Sequence, residues 1–267
     1  MQAVTLHPRG AARTATDFRY CVATRSTKEP ISPMDFLDEL LEARKLRLSQ
    51  SLLCAYMADR KVDPYQRLSF IPAMIFFTMG FKDILAALRD NSDKSALQAC
   101  VHRHCDEDAF HWRWYLEDLE TIEHGRRLLR LPTAQAFTDV WSPANHATRE
   151  AVYHAIHLAK TWGTPFYRMV LIEALEATFA CFNEPMYRLV RELGMAEQLH
   201  YFGQRHAHAE ASHAKDQHDA LPPSYVPSED ERTTAGFLVN QVFDTFKRMF
   251  DCWHAARLGS QAMRPAA

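Results

Sequence analysis

The sequence predicts an all-α protein. Three observations carry that reading: from Pro33 onward apolar residues recur at three-and-four spacing nearly everywhere, no segment alternates apolar and polar residues as a half-buried strand does, and start and stop signals cut the chain into helix-sized lengths. The first helical segment covers residues 34–60 and starts at Ser32-Pro33, where proline's missing N–H costs no helical hydrogen bond. The second, 64–90, opens with Pro64 and contains Phe70 to Phe81, a run apolar on all sides, as in a helix buried on most faces. The third, 94–124, begins behind Ser92-Asp93, whose side chains suit an N-cap, and ends at His124-Gly125. A helix or helix pair fills 132–160 with a break near Trp141-Ser142-Pro143, and another runs over 164–193 and ends before Gly194. Residues 195–219 form the next, closed by Pro222-Pro223; the last, 229–258, begins behind Pro227-Ser228-Glu229-Asp230 and stops at Gly259. About seven helices with short links and no internal repeat make one bundle domain over residues 31–259, flanked by disordered tails at 1–30 and 260–267.

Composition narrows the class. With 267 residues and 47% hydrophobic side chains the chain can bury a substantial core. Its 33 acidic and 31 basic residues leave a net charge of −2 with the signs interspersed, so no nucleic-acid partner and no anionic membrane is expected. The run from Phe70 to Phe81 lies between Arg67 and Lys82 and is too short to span a bilayer. Six cysteines stand in no C-x-x-C spacing, and Met1 to Tyr20 has no apolar core of a secretory signal, so reduced thiols and a cytoplasmic location are expected.

The 14 histidines are unevenly spread: apart from His7, none precedes His102, and the other thirteen lie between His102 and His254. The sharpest pattern is His206-x-x-x-Glu210-x-x-His213. At 100° per residue, Glu210 and His213 lie roughly 40° and 340° round from His206, so the three share one stripe of a helix, with small alanines as neighbours and His208 pointing away. Such a stripe is half of a metal site; the bland alternative is a histidine-rich surface helix. A second cluster, HRHCDEDAFHWRWYLEDLE, holds His104, Glu107, Asp108 and His111. Either carboxylate, Glu107 or Asp108, can share a face with His111, with His104 two turns back on the same stripe. The segment IEALEATFACFNEP adds Glu173 and Glu176 among apolar neighbours, where an unpaired carboxylate is costly and a cation would relieve it. The resulting ligand set is Glu107, His111, Glu176, His206, Glu210 and His213, with His104, Asp108 and Glu173 as alternates. Nitrogen and oxygen donors without thiolate suit iron or manganese better than structural zinc.

These residues resemble the heme-oxygenase-like di-iron oxidases and oxygenases, helical proteins with the heme oxygenase fold and no heme. The resemblance rests on the ordered trio of a carboxylate/His helix, a Glu helix and a late His-x-x-x-Glu-x-x-His helix, and covers roughly residues 35 to 255. RLSFIPAMIFFTMGFKD, HCDEDAFHWRWYLEDLE, IEALEATFACF and YFGQRHAHAEASH also look like a bacterial branch of that superfamily. The late motif falls on His206, Glu210 and His213; the early one departs, because many members carry an acid seven residues before the His, where this chain has His104. The resemblance implies two Fe(II) ions, with manganese as the other candidate, O2 as co-substrate, and oxidation, desaturation or cleavage of a small amino-acid-like or fatty-acid-like metabolite. It also leaves room for an external electron donor and a homodimer.

Phe70, Met74, Phe76, Phe77, Met79 and Phe81 could line an apolar substrate cavity, although such a stripe in a buried helix is more often core. Arg103, Arg113, Lys160 and Arg168 could bind an acidic substrate if the fold aims them inward. A heme enzyme on this fold needs an axial His on the first helix, and residues 8–101 contain none. A thiaminase-like hydrolase would use Cys181 or Cys105 as a metal-free nucleophile and leave the His/Glu/His stripe unexplained. A non-catalytic helical interaction protein would tolerate loss of every His and Glu named.

Overall fold

The computed structural model describes residues 35–126, 138–209 and 225–262. The chain divides between Pro30 and Ile31, and every described residue belongs to the second unit, Ile31–Ala267. The expected tail at 1–30 lies outside the described residues.

Among the described residues the protein is all-α and has no strand; besides helical stretches at 138–141 and 204–209 it has nine α-helices. They are α1 (Asp35–Ser49), α2 (Leu52–Ala58), α3 (Pro64–Arg67), α4 (Ile75–Leu88), α5 (Ala96–Asp108), α6 (His111–Arg126), α7 (His146–Thr161), α8 (Pro165–Glu192) and α9 (Glu229–Ala262). Short 3-10 turns at Ile71–Met74 and Pro143–Asn145 lead into α4 and α7.

Several expected helices are divided, each for a local reason. Residues 34–60 break at Ser51, whose side chain accepts the Cys54 N–H and starts α2 afresh. Residues 64–90 break because Asp63 caps α3 at one end and Pro72 disfavours a regular helix before it at the other. The cap of α5 is Ser95 rather than Ser92-Asp93; Asp93 instead receives the Ser95 N–H at 2.7 Å. The long third segment turns at Ala109-Phe110, giving α5 and α6, although no Gly or Pro stands between Cys105 and Trp112. Helix α8 ends as the sequence implies, with Gly194 at φ 70° and the Met195 N–H reaching back to the Val190 carbonyl at 2.9 Å. Helix α9 runs past its expected stop at Gly259 to Ala262.

The core sits where α4, α8 and α9 meet. Phe77 lies at its centre, its ring 5.3 Å from Phe246, 5.4 Å from Phe179 and 6.2 Å from Trp253, with Phe182 and Phe250 packed beyond. Burying each such ring contributes about 1.5–3 kcal/mol, and edge-to-face pairing adds to it. Thus Phe70, Met74 and Phe77 are core, Phe76 packs on Trp141 and Tyr153, Met79 is exposed, and only Phe81 borders a cleft. The stretch Pro64–Leu88 is long and apolar enough by composition to cross a bilayer, yet Phe70, Ile71, Met74 and Phe77 are wholly buried within the bundle.

Candidate metal centre

The C-terminal half of α5 carries Val101, His104, Cys105 and Asp108 at helical spacing, and all four are buried. That stripe decides between the two carboxylates. Asp108 lies on it, 4% exposed, whereas Glu107 points to solvent, so Asp108 takes the place expected for Glu107. Opposite, Ile172, Leu175, Glu176 and Phe179 form one stripe of α8, which carries Glu176 to the same spot and leaves Glu173 one turn earlier.

His104 lies between the two acids. Its Nε2 is 3.1 Å from Asp108 Oδ2 and 3.3 Å from Glu176 Oε1. Burial opposes charge on this imidazole, but the hydrogen bonds to Asp108 and Glu176 outweigh it and push its pKa up to about 11. The other Asp108 oxygen, Oδ1, is 3.4 Å from His111 Nδ1, a contact made possible by the turn at Ala109-Phe110. His111 stacks on Trp114 at 4.5 Å and meets the His206 ring edge-on at 4.7 Å.

His206 is held from behind. Its Nδ1 lies 2.9 Å from the Tyr201 carbonyl oxygen and donates to it, which fixes the tautomer with Nε2 as the lone-pair nitrogen. The Tyr201 ring stacks on the imidazole at 4.8 Å. Tyr201 is in turn fixed by Asp118 of α6: Oδ1 accepts the His200 N–H at 2.7 Å, and Oδ2 accepts those of Tyr201 and Phe202 at 2.8 and 2.9 Å. Asp118 is 1% exposed, and burial raises its carboxyl to about 6 against the pull of those three N–H groups. This clamp explains why residues 195–203 are not the helix expected over 195–219: their N–H groups bond to a side chain and to turns, and helix resumes only over 204–209. Gly203 is required within it, because a Cβ there would land on the carbonyl oxygens of Leu199 and Ala196.

One cleft, about 390 Å³ counted out to its open mouth, joins these groups. Its walls include Asp108, His111, Glu176 and His206, with Thr78, Phe81 and Lys82 from α4. Ligand atoms of His104, Asp108 and Glu176 all fall within 4.8 Å of one another. An ion with bonds of about 2 Å holds its ligands within about 4 Å, so a small inward shift of these side chains would enclose one.

Of the expected ligands, His111, Glu176 and His206 therefore meet at the cleft and Glu107 does not; of the alternates, Asp108 lines it, and His104 contacts Asp108 and Glu176 without lining it. Glu210 and His213 lie outside the described residues, and His208 is exposed. Sequence reasoning passed over Asp118, Tyr201, Thr78 and Lys82, which carry no motif; the buried stripe of α5 was the signal that favoured Asp108.

The five described cysteines are free thiols. Cys105 is fully buried, donates to the Leu85 carbonyl and is pushed up to about 12 by burial; Cys181 is raised by burial as well, and neither borders the cleft. Comparison with known protein families and with curated proteins finds no match for this chain.

Proposed function

We propose that this chain is a non-heme di-iron oxidase or oxygenase of the heme-oxygenase-like type, using O2 to oxidise, desaturate or cleave a small organic metabolite. The observation that carries the reading is the trio of buried His104 and Asp108 with half-buried Glu176, beside a cleft that Asp108, Glu176, His111 and His206 line. In this reading His104, Asp108 and Glu176 would hold one ion, and His111 and His206 would serve a second, with the other Asp108 oxygen facing His111. Glu210 and His213 complete the set on the grounds of sequence. The donors are nitrogen and oxygen only, which suits iron and leaves manganese as the alternative. The bound metals supply the oxidising power, with an external donor providing electrons where the reaction needs them.

What the chain itself contributes is position. The Asp118 clamp and the Tyr201 carbonyl orient His206, Trp114 stacks on His111, and the turn after Asp108 lets one carboxylate serve two histidines. Phe81, Phe179 and Trp112 limit water at the cleft wall. Without a metal, the proton on His104 joins the two carboxylates; an ion would take over that bridging charge.

Anaerobic loading with Fe(II), metal counting and rapid mixing with O2 test the reading. About two irons per chain and a transient visible chromophore are expected, both abolished in Asp108→Ala. Failure to retain iron, with Asp108→Ala and His206→Ala indistinguishable from the parent, overturns it. The thiaminase-like alternative is disfavoured by the raised, inward-turned thiols of Cys105 and Cys181, since the thiolate is the nucleophile. A chelator would leave such a hydrolase active.

A further inference from the structure

His111 and His206 come from different elements, and each has a neighbour that meets the other element. Trp114 is one turn after His111 on α6 and stacks on it at 4.5 Å, while Arg205 immediately precedes His206. The Arg205 guanidinium carbon lies 4.3 Å from the Trp114 ring centroid, well inside the range of a cation–π contact, and the His206 ring lies 6.3 Å from the same indole. Two contacts between the elements, His111 with His206 and Trp114 with Arg205, thus sit side by side. Neither Trp114 nor Arg205 borders the cleft, so neither is placed to touch an ion or a substrate there. Arg205 is exposed and forms no ion pair among the described residues.

His206 needs such support. It lies in the helical stretch 204–209, fewer than two turns long, and a helix that short is not stable by itself in water. The Asp118 clamp fixes the N–H groups of residues 200–202, upstream of the stretch, and the Tyr201 carbonyl sets the rotation of the imidazole. Past Gly203 the backbone N–H groups of Gln204 and His206 bond back to Ala196 and His200 of their own segment rather than to α6. We propose that Arg205 and Trp114 are positioning residues: their contact latches residues 204–209 onto α6 and so sets the His111–His206 pair. The residue types suit the task. An indole offers a broad face, and a planar guanidinium stacks on it more readily than an ammonium, which is more strongly hydrated. Arg113, on the same helix, lies over Phe110 and Trp112 instead and supplies the control.

The inference rests on the reading of His111 and His206 as ligands of a second ion, so the test follows the histidine pair with and without metal. In the metal-free full chain, His111 and His206 are 7% and 5% exposed and should react slowly with diethyl pyrocarbonate, whereas His208, exposed on the same stretch, should react fast; mass mapping follows each residue. Arg205→Gln and Trp114→Leu should each speed modification of His206 several-fold and leave His208 unchanged. Arg205→Lys should restore most of the protection, and Arg113→Gln should match the parent. The combined variant should react no faster than Trp114→Leu alone, because the two side chains act as a unit. An unchanged thermal midpoint in Arg205→Gln excludes a folding defect. With Mn(II), counted by electron paramagnetic resonance, Arg205→Gln should weaken the second ion about twofold to fivefold, the worth of an exposed cation–π contact, and leave the first unchanged. An unchanged His206 rate in both single variants, independent effects that multiply in the combined variant, or equal weakening of both ions overturns the inference. Uptake of fewer than two Mn(II) by the parent, with the modification contrast intact, would instead strike the di-metal reading and leave the latch standing.

Discussion

Replacing Asp118 with asparagine removes a charge that the fold has enclosed behind the metal centre. The carboxyl has a pKa of about 6 in the folded protein against an ordinary value of 3.8, a difference caused mainly by burial. Because the folded pKa is the higher one, the folded state binds the proton more tightly, and the associated stability is complete below about pH 3.8 and lost as pH rises through 6. That difference corresponds to about 3 kcal/mol in full, of which about 2 kcal/mol is realised between about pH 7 and about pH 4.5. The amide of Asp118→Asn cannot take up a proton in that window. Urea unfolding of both proteins at half-unit steps across it, with the two curves subtracted, isolates this one group because all other titrations are shared. The parent should gain about 2 kcal/mol on the variant as the pH falls. A flat difference curve, or one in which the parent loses ground toward acid, would refute the account of Asp118 as a carboxylate penalised by burial. The same variant carries a second expectation at neutral pH. An amide has one acceptor oxygen where the carboxylate has two, so at least one N–H of His200, Tyr201 or Phe202 loses its partner and faces an NH2 group. The Tyr201 carbonyl that orients His206 then loosens, and metal affinity should fall about tenfold or more.

Asp108→Asn should weaken metal binding far more than Glu107→Gln, which stands on the exposed side of α5; equilibrium dialysis of both variants checks the assignment, and equal losses would reverse it. Gly203→Ala forces a Cβ against the Leu199 and Ala196 carbonyl oxygens and should cost about 3 kcal/mol in chemical unfolding, while Gly163→Ala, whose Cβ meets no atom closer than 3.4 Å, should cost much less. Cys105→Ser and Cys181→Ser should leave iron uptake and O2 reactivity within about twofold of the parent once stability differences are allowed for, because neither thiol borders the cleft; abolition of activity in either would favour the nucleophilic alternative. Loading with Fe(II) in weakly buffered solution should release protons, since an ion must displace the one His104 holds between Asp108 and Glu176; a potentiometric trace showing no release would exclude His104 as a ligand.

How much of the site was legible depended on whether the signal was local. His111, Glu176 and His206 could be named because a carboxylate or imidazole at helical spacing among apolar residues is visible in the sequence as a stripe. The choice of Asp108 over Glu107 was available from the same rule, applied to Val101, His104 and Cys105, whose buried face Asp108 continues. His104, at the position where the resemblance called for an acid, bridges two acids, one of them from α8, a distant segment whose register no local pattern fixes. The Asp118 clamp was illegible for the same reason. A single Asp in an acidic stretch looks like a solvated face until the turn at 200–202 is folded onto it.

By itself the sequence determined that the described chain would be helical, because periodicity and caps are properties of neighbouring residues, and it determined which residue types could ligate a metal. Only the tertiary structure decided where the helices break, that His104 meets Glu176 of α8, and that residues of α4 line the same cleft as the histidines. Those outcomes follow from the packing of α4, α5 and α8 around one cleft, where burial raises the cost of every unpaired polar group and so selects which residues must meet.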